Sequence, residues 1–392
     1  MEQHKTADFI VIGGGVIGCS TAHNLAKNGA KNVVLLEKGD ICSGGTAKSC
    51  AIVRTHYSIK SNLIHAVESL KIYSNFDDMI GGDCGWKKTG YLILGPEEHR
   101  EPMLEVFSMQ NEYGIDTTIL DAKQTLEIHP HLNLEDVGVI GYDTFTGYCD
   151  PYLTTTSYAK MAKELGVTIH TDSPVEDLKL KGTLKIVKTT QGTFETPVVI
   201  LAVGPWTNSI SKNIGIRFPY EISRHKVINL KIDQPYSDKW PIVKDLIMPD
   251  RPYFRPDSGG TLLIGTGDFG EPIEDPDVLT DQVDMEHIEQ IGKITSHRIP
   301  DFESAVYTNG WTGPYDIPSD WNPLVGSVPD IEGLFVAVGF SGHGFKLAPT
   351  IGESLAQMVL NHEPRIPINE YSVSRFDEGK TLHGAYAFGS IS

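Results

Sequence analysis

The sequence predicts an α/β protein in which a discontinuous α/β domain, drawn from both ends of the chain, carries a second, β-rich domain inserted within it. Three observations predict this. The chain opens on strand, glycine turn, helix and strand inside about 30 residues, a βαβ unit. Short, wholly apolar runs recur at residues 198–202 and 334–338 and read as fully buried strands. Half-buried, turn-rich material fills the stretches between.

In order along the chain, Phe9-Ile10-Val11-Ile12 is rich in β-branched residues and reads as a buried strand. Gly13, Gly15 and Gly18 follow it. Residues 16–27 read as a helix with Ile17, Thr21, Leu25 and the small Ala22 and Ala26 toward a sheet, and Gly29 stops it. Residues 33–36 are a second buried strand, ending at Glu37. Residues 42–49 (CSGGTAKS) form a small-residue loop, and residues 59–80 a helix broken by Gly81-Gly82. Short strands at 91–94 and 137–142 flank an acidic helix near 97–113, and a further helix covers 152–165. Residues 220–310 alternate β-like stretches with Pro and Gly turns, plus one helix near 280–296. After the last apolar strand comes GFSGHGFK, residues 339–346. A closing helix is expected over 349–360, with Pro349 in its first turn. The expected division is 1–82, 148–219 and 324–392 for the α/β domain, and 83–147 and 220–323 for the inserted one.

Composition narrows the function. The chain has 392 residues, 40% hydrophobic and 21% charged, which is ordinary for a globular protein. A formal net charge of −18 repels polyphosphate and disfavours nucleic-acid binding. The five cysteines (Cys19, Cys42, Cys50, Cys84, Cys149) form no CxxC pair, so no metal site is signalled, and they read as free thiols of a reducing compartment. The first residues lack the features of a signal peptide, and no window approaches 18 apolar residues; the expected setting is the cytoplasm, with no membrane span.

Gly13-x-Gly15-x-x-Gly18 stands between a strand and a helix, where a dinucleotide turn belongs. The first glycine permits the turn, the second lets backbone approach a pyrophosphate, and the third lets the helix close on the strand. The helix start offers free N–H groups and the positive end of its dipole. Glu37, 19 residues past Gly18, is placed to accept hydrogen bonds from ribose hydroxyls, and its charge disfavours a 2′-phosphate. The motif alone does not separate FAD from NAD, and a glycine turn that only packs helix on strand also fits.

Four stretches then carry a resemblance over nearly the whole chain: residues 13–38 (GGGVIGCSTAHNLAKNGAKNVVLLEK), AIVRTHY at 51–57, VILAVGPW at 199–206 and VGFSGHGFK at 338–346. Together they resemble the FAD-dependent D-amino-acid oxidase superfamily. Within it they are most similar to the sarcosine oxidase branch, both the monomeric enzyme and the beta subunits of heteromeric sarcosine oxidase and proline dehydrogenase. The resemblance implies a Rossmann-like FAD-binding domain and an inserted, mainly antiparallel β-sheet substrate domain, with the isoalloxazine ring between them. It implies oxidation of the C–N bond of a small amino acid or secondary amine, by hydride transfer to flavin N5 and hydrolysis of the imine.

On the matching positions the resemblance sets Val16, Ile17, Lys38, Gly44, Gly45, Thr46, Ser49, Val175, Ala202, Gly204, Trp206 and Gly313 against FAD, beside Gly13, Gly15, Gly18 and Glu37. Gly342, His343, Gly344, Phe345 and Lys346 would present backbone N–H groups to the ring's N1 side, where negative charge develops. Arg54 and Lys346 match the two cations that clamp the substrate carboxylate in that family; Arg offers a planar fork and Lys a compact charge. Tyr57 and His56 would line the pocket, and Tyr253 and Arg255 are second-tier candidates. Alone, Arg54 also fits a surface arginine, and GFSGHGFK a turn without a ligand.

Departures from the family inform the expectation. Gly313 stands where monomeric sarcosine oxidase links its flavin to a cysteine, and Tyr148-Cys149-Asp150 replaces the flavin-linked histidine of the beta subunits, so non-covalent FAD is expected. Leu263 replaces a lysine beside N5, which predicts slow reaction with oxygen and another electron acceptor. Tyr315 occupies the arginine position that precedes the DxxP element (Asp320 to Pro323) in glycine oxidase, which tilts the substrate toward the sarcosine and proline type; Asp320 also fits a plain turn residue. An electron-acceptor protein or sister subunits stay open as partners, and so does a flavin-binding assembly protein without turnover.

Overall fold

Phe9–Ile12 stands inside a six-stranded sheet ordered Thr168–His170, Val33–Leu36, Phe9–Ile12, Val198–Leu201, Leu334–Val338 and Leu324–Ser327. The structure is a computed structural model that describes residues 4–234, 236–268 and 270–384. The outermost residues of the expected domain segments, 1–3 and 385–392, lie outside the described residues, as do 235 and 269. The first five strands of this sheet run parallel and the last pairs antiparallel. Both faces of the parallel strands are covered, which is why they read as unbroken apolar runs. Val11, Leu35, Ile200 and Ala337 face a helical layer that includes Val16–Lys27, Lys60–Ser74, Pro151–Glu164 and Gly344–Val359. Ile10, Val34, Val199 and Val336 face a four-stranded sheet that contributes Leu178, Val187 and Phe194.

Two of those helices approach closely. The hydroxyl of Ser20 donates to the carbonyl of Ala348 at 2.9 Å. A Cβ at Gly352 would lie 2.3 Å from the Ser20 oxygen, so only glycine admits the contact. The closing helix begins at Gly344, earlier than expected, and Pro349 sits inside it rather than in its first turn. Proline there withholds the N–H that the carbonyl of Phe345 would accept. The hydroxyl of Tyr73 donates to that carbonyl instead, at 2.6 Å. The helices expected over 16–27, 59–80 and 152–165 fall within a few residues of expectation, whereas the helix Ala122–Ile128 was not expected.

The second sheet has nine strands. In order they are Glu271–Ile273, Tyr220–Lys231, Thr261–Gly265, Tyr253–Asp257, Ile242–Asp245, Tyr91–Gly95, Val139–Asp143 and Thr117–Ile119, with Val306–Pro318 along Tyr220–Lys231. Every pair is antiparallel except Ile242–Asp245 with Tyr91–Gly95, the seam where two distant chain segments join. Side chains alternate across it. Leu92, Val243, Phe254 and Ile264 form a core with Ile288, Ile291 and Ile294 of the helix Met285–Arg298. Tyr91, Lys244 and Tyr253 alternate onto the other face, where they line a cavity with Ser49, Arg54 and Lys346.

Candidate active site

The first βαβ unit opens onto a cleft of about 370 Å³. Gly13 turns the chain at φ +112°, and a Cβ there would lie 2.3 Å from the carbonyl oxygen of Ala202. At Gly18 a Cβ would meet the Gly13 carbonyl oxygen at 2.0 Å, so glycine lets the helix close on the strand. Gly13, Gly15, Val16 and Ile17 form one wall of the cleft, and Glu37 and Lys38 another. Gly44, Gly45, Thr46 and Ser49 line it from the small-residue loop. Val175, Ala202, Gly204, Trp206 and Gly313 face them, and Gly342, Gly344 and Phe345 close one end.

The Glu37 carboxylate is fixed by backbone. Gly14 N–H donates to one oxygen at 2.6 Å and Gly39 N–H to the other at 2.8 Å. Each oxygen keeps a lone pair for a further donor. The cleft also takes in residues that sequence reasoning missed. Asp277 binds the ammonium of Lys38 at 2.9 Å and accepts from the Trp206 indole N–H at 2.7 Å. Asp316 accepts from Gly339 N–H at 2.7 Å, and burial pushes its carboxyl up to about 6. Their places come from long-range topology, which leaves no local signal.

A smaller cavity of about 70 Å³ shares Ser49, Tyr315 and Gly342 with the cleft. Arg54, Lys346 and Tyr253 line it together. The Lys346 ammonium donates to the Gly342 carbonyl at 3.1 Å. Burial, then the charge of Arg54, pulls its pKa well below the lysine range. Tyr253 OH lies 2.8 Å from Cys50 Sγ. Lys244 also lines this cavity, and no motif singled it out. Strand alternation next to the buried Val243 was the available signal. The expectation of slow oxygen reaction rested on a missing cation near Leu263. Lys244 brings a lysine into this cavity from the strand Ile242–Asp245, two strands away from that of Leu263.

Other predicted residues lie outside both linings. Tyr57 is fully buried behind Arg54, and its hydroxyl has no partner among the described residues. His56 sits with Nδ1 3.3 Å from Gln110 Oε1, and burial, then Arg54, lowers it to about 3. His343 is buried against the Tyr57 ring at 5.3 Å and held neutral, chiefly by burial. Arg255 pairs with Asp257 at 2.7 Å and donates to the carbonyl of Cys50 at 2.9 Å. Asp320 binds buried Arg375 through two contacts, at 2.8 and 2.9 Å, so it is more than a turn residue. Gly18 packs helix on strand.

These residues fit FAD. The cleft floor is free of Cβ atoms where glycines stand, a helix start presents N–H groups, and Glu37 offers lone pairs. Neither cysteine nor histidine lines the larger cleft among the described residues. Among those residues there is no cluster suited to a metal ion, and no helix is long and apolar enough to cross a membrane.

Comparison with known proteins agrees. Human mitochondrial sarcosine dehydrogenase is 26% identical over 97% of this chain and 42% of its own length. Human mitochondrial dimethylglycine dehydrogenase is 28% identical over 96% and 45%. The chain thus spans less than half the length of these relatives. The solved structure of L-proline dehydrogenase from P. horikoshii matches with a TM-score of 0.89 and 27% identity, covering 97% of this chain and 100% of that one. Glycine oxidase from Geobacillus kaustophilus shares the fold, with a TM-score of 0.80 at 22% identity, covering 95% and 99%. The profile described as DAO, FAD dependent oxidoreductase, matches residues 8–358, and with the Gly13 turn, the anchored Glu37 and the Cβ-free cleft it shows that the chain belongs to the FAD-dependent oxidoreductase family.

Proposed function

We propose that the chain oxidises the C–N bond of a small amino acid or secondary amine, such as sarcosine, proline or a relative, with non-covalently held FAD. The observation that carries this reading is the shared small cavity: Arg54 and Lys346, far apart in sequence, line one buried space that adjoins the cofactor cleft. FAD bound in the cleft supplies the two-electron acceptor for a hydride from the substrate carbon. The chain does the rest. Arg54 and Lys346 take the carboxylate and orient the amine-bearing carbon toward the cleft. The substrate loses hydride and one proton to give an imine, and water then splits this into carbonyl compound and amine. Likeness to proteins named for sarcosine, dimethylglycine and proline supports the substrate class. Residues 1–82, 148–219 and 324–392 would then hold the cofactor, and 83–147 and 220–323 would cover the substrate.

The test is an anaerobic panel of N-alkyl and cyclic amino acids mixed with the FAD-loaded protein. Flavin absorbance should bleach with at least one member, and Arg54→Ala with Lys346→Met should abolish bleaching while FAD stays bound. A flavin that stays oxidised across the panel overturns the reading.

A further inference from the structure

The smaller cavity offers more basic side chains than one carboxylate uses. Lys244 lines it together with Arg54 and Lys346, and no Asp or Glu lines it among the described residues. Lys244 is 2% exposed. Its ammonium donates to the backbone carbonyl of Arg251 and lies 5.7 Å from the Tyr253 ring centre. Among the described residues no carboxylate comes within 4.0 Å of it. The nearest acids are already engaged. Asp245 binds buried Arg298 at 2.6 Å and accepts from the N–H groups of Ile247 and Met248. Asp268 accepts from the Thr266 hydroxyl at 2.7 Å. Room is kept for the ammonium as well, since a Cβ at Gly267 would stand 2.6 Å from it.

A buried ammonium without a counter-ion is costly, and a folded chain relieves such a group by neutralising it or by binding an anion. Burial and Arg54 pull Lys244 down to about 7, so it is readily charged when an anion arrives. Two cations suffice for one carboxylate. The third comes from the sheet strand Ile242–Asp245, while Lys346 comes from the helix Gly344–Val359, and both line the same cavity.

Building on the amine-oxidation reading, we propose that Lys244 is a specificity-determining contact for a second acid group. The substrate is then a small N-substituted dicarboxylic amino acid, one carboxylate on Arg54 and Lys346 and the other on Lys244. The arrangement lowers the charge imbalance of the cavity and fixes the substrate at both ends. It selects against monocarboxylates because they leave Lys244 unpaired.

The test compares N-methylglycine with N-(carboxymethyl)glycine and N-methylaspartate in anaerobic flavin reduction, using FAD-loaded protein and its Lys244→Gln and Lys244→Arg variants. At least one dicarboxylate should show a kcat/KM roughly tenfold or more above N-methylglycine. Lys244→Gln should erase that preference through a loss of about tenfold or more on the dicarboxylate, as expected for truncating one partner of a buried charge pair, and Lys244→Arg should keep it. Binding of acetate and malonate, followed by perturbation of the flavin spectrum, reads the same pocket without turnover. Malonate should bind more tightly than acetate, and Lys244→Gln should remove the difference. A wild-type preference for N-methylglycine, or equal losses for both classes in Lys244→Gln, overturns the proposal and makes Lys244 a general proton acceptor or a folding element. If no amine reduces the flavin while malonate still binds through Lys244, the oxidation reading falls and the two-acid pocket stands.

Discussion

The guanidinium of Arg54 lies 4.2 Å over the ring of Tyr57. Tyr57 is fully buried, burial pushes its phenol up to about 12, and its hydroxyl has no partner among the described residues. The ring face, rather than the hydroxyl, is therefore what Arg54 uses. Stacking of this kind contributes on the order of 1–2 kcal/mol when desolvated and holds the fork in one plane. Tyr57 acts as a positioning residue. Tyr57→Phe should keep substrate KM within about twofold. Tyr57→Leu removes the platform and should raise KM by roughly tenfold with kcat less affected, read by steady-state kinetics at saturating acceptor. Equal behaviour of the two variants would show that the ring face does not matter.

Glu37 makes a second prediction. Both of its oxygens accept backbone N–H groups, from Gly14 and Gly39. In Glu37→Gln one of those N–H groups would face an NH2 group, which cannot accept. The turn before the helix Val16–Lys27 should loosen, and FAD affinity should fall by about tenfold or more, measured by flavin fluorescence on titration of the apoprotein. Unchanged affinity would mean that the carboxylate only staples the turn.

The Tyr73 hydroxyl substitutes for the N–H that Pro349 cannot supply. Tyr73→Phe keeps the stack on Phe345, whose ring centre is 5.3 Å away, and strips only the donor. A buried carbonyl left unpaired costs about 1–3 kcal/mol, which should appear as a lower denaturant midpoint. In a Pro349→Ala background the helical N–H returns, so the same substitution should cost less. A double-mutant cycle with no coupling would show that the two positions are independent.

The pattern of what was legible follows from the range of the interactions. Gly13, Gly15, Gly18 and Glu37 act within one βαβ unit, and their spacing alone predicted their geometry. Arg54 and Lys346 meet only through the tertiary fold, and resemblance over the whole chain singled them out. Lys244 was missed because one lysine in a strand is ordinarily solvated; its burial depends on the parallel seam with Tyr91–Gly95, which no local pattern encodes. The start of the closing helix was misread for the same reason, since the donor that tolerates Pro349 lies on another helix. Tyr57 was assigned to the pocket from adjacency to Arg54 in sequence, but strand and loop geometry turned it behind the guanidinium.

The charge of the small cavity gives a pH dependence whose sign is fixed. In the free protein Lys244 is held near 7 by burial, then by Arg54 and Arg251, with Asp245 and Asp268 opposing. Lys346 is lowered as well, by burial, Arg54 and Lys244, with Cys50 opposing. An anion entering the cavity favours the protonated lysines and so raises their pKa values. Below the free-site pKa the lysine already carries its proton, and anion affinity is at its plateau. Above it, binding must take up a proton, and affinity falls by up to tenfold per pH unit for each lysine so linked, until the pKa of the complex is passed. Malonate binding, followed through the flavin spectrum between about pH 6 and 9, should therefore weaken as pH rises through about 7. Lys244→Gln should flatten the part of the curve centred there and leave only what Lys346 contributes. An affinity that is level across this range, or that climbs with pH, would mean that the lysines keep their charge without the ligand, and the cavity would not be the anion trap described above.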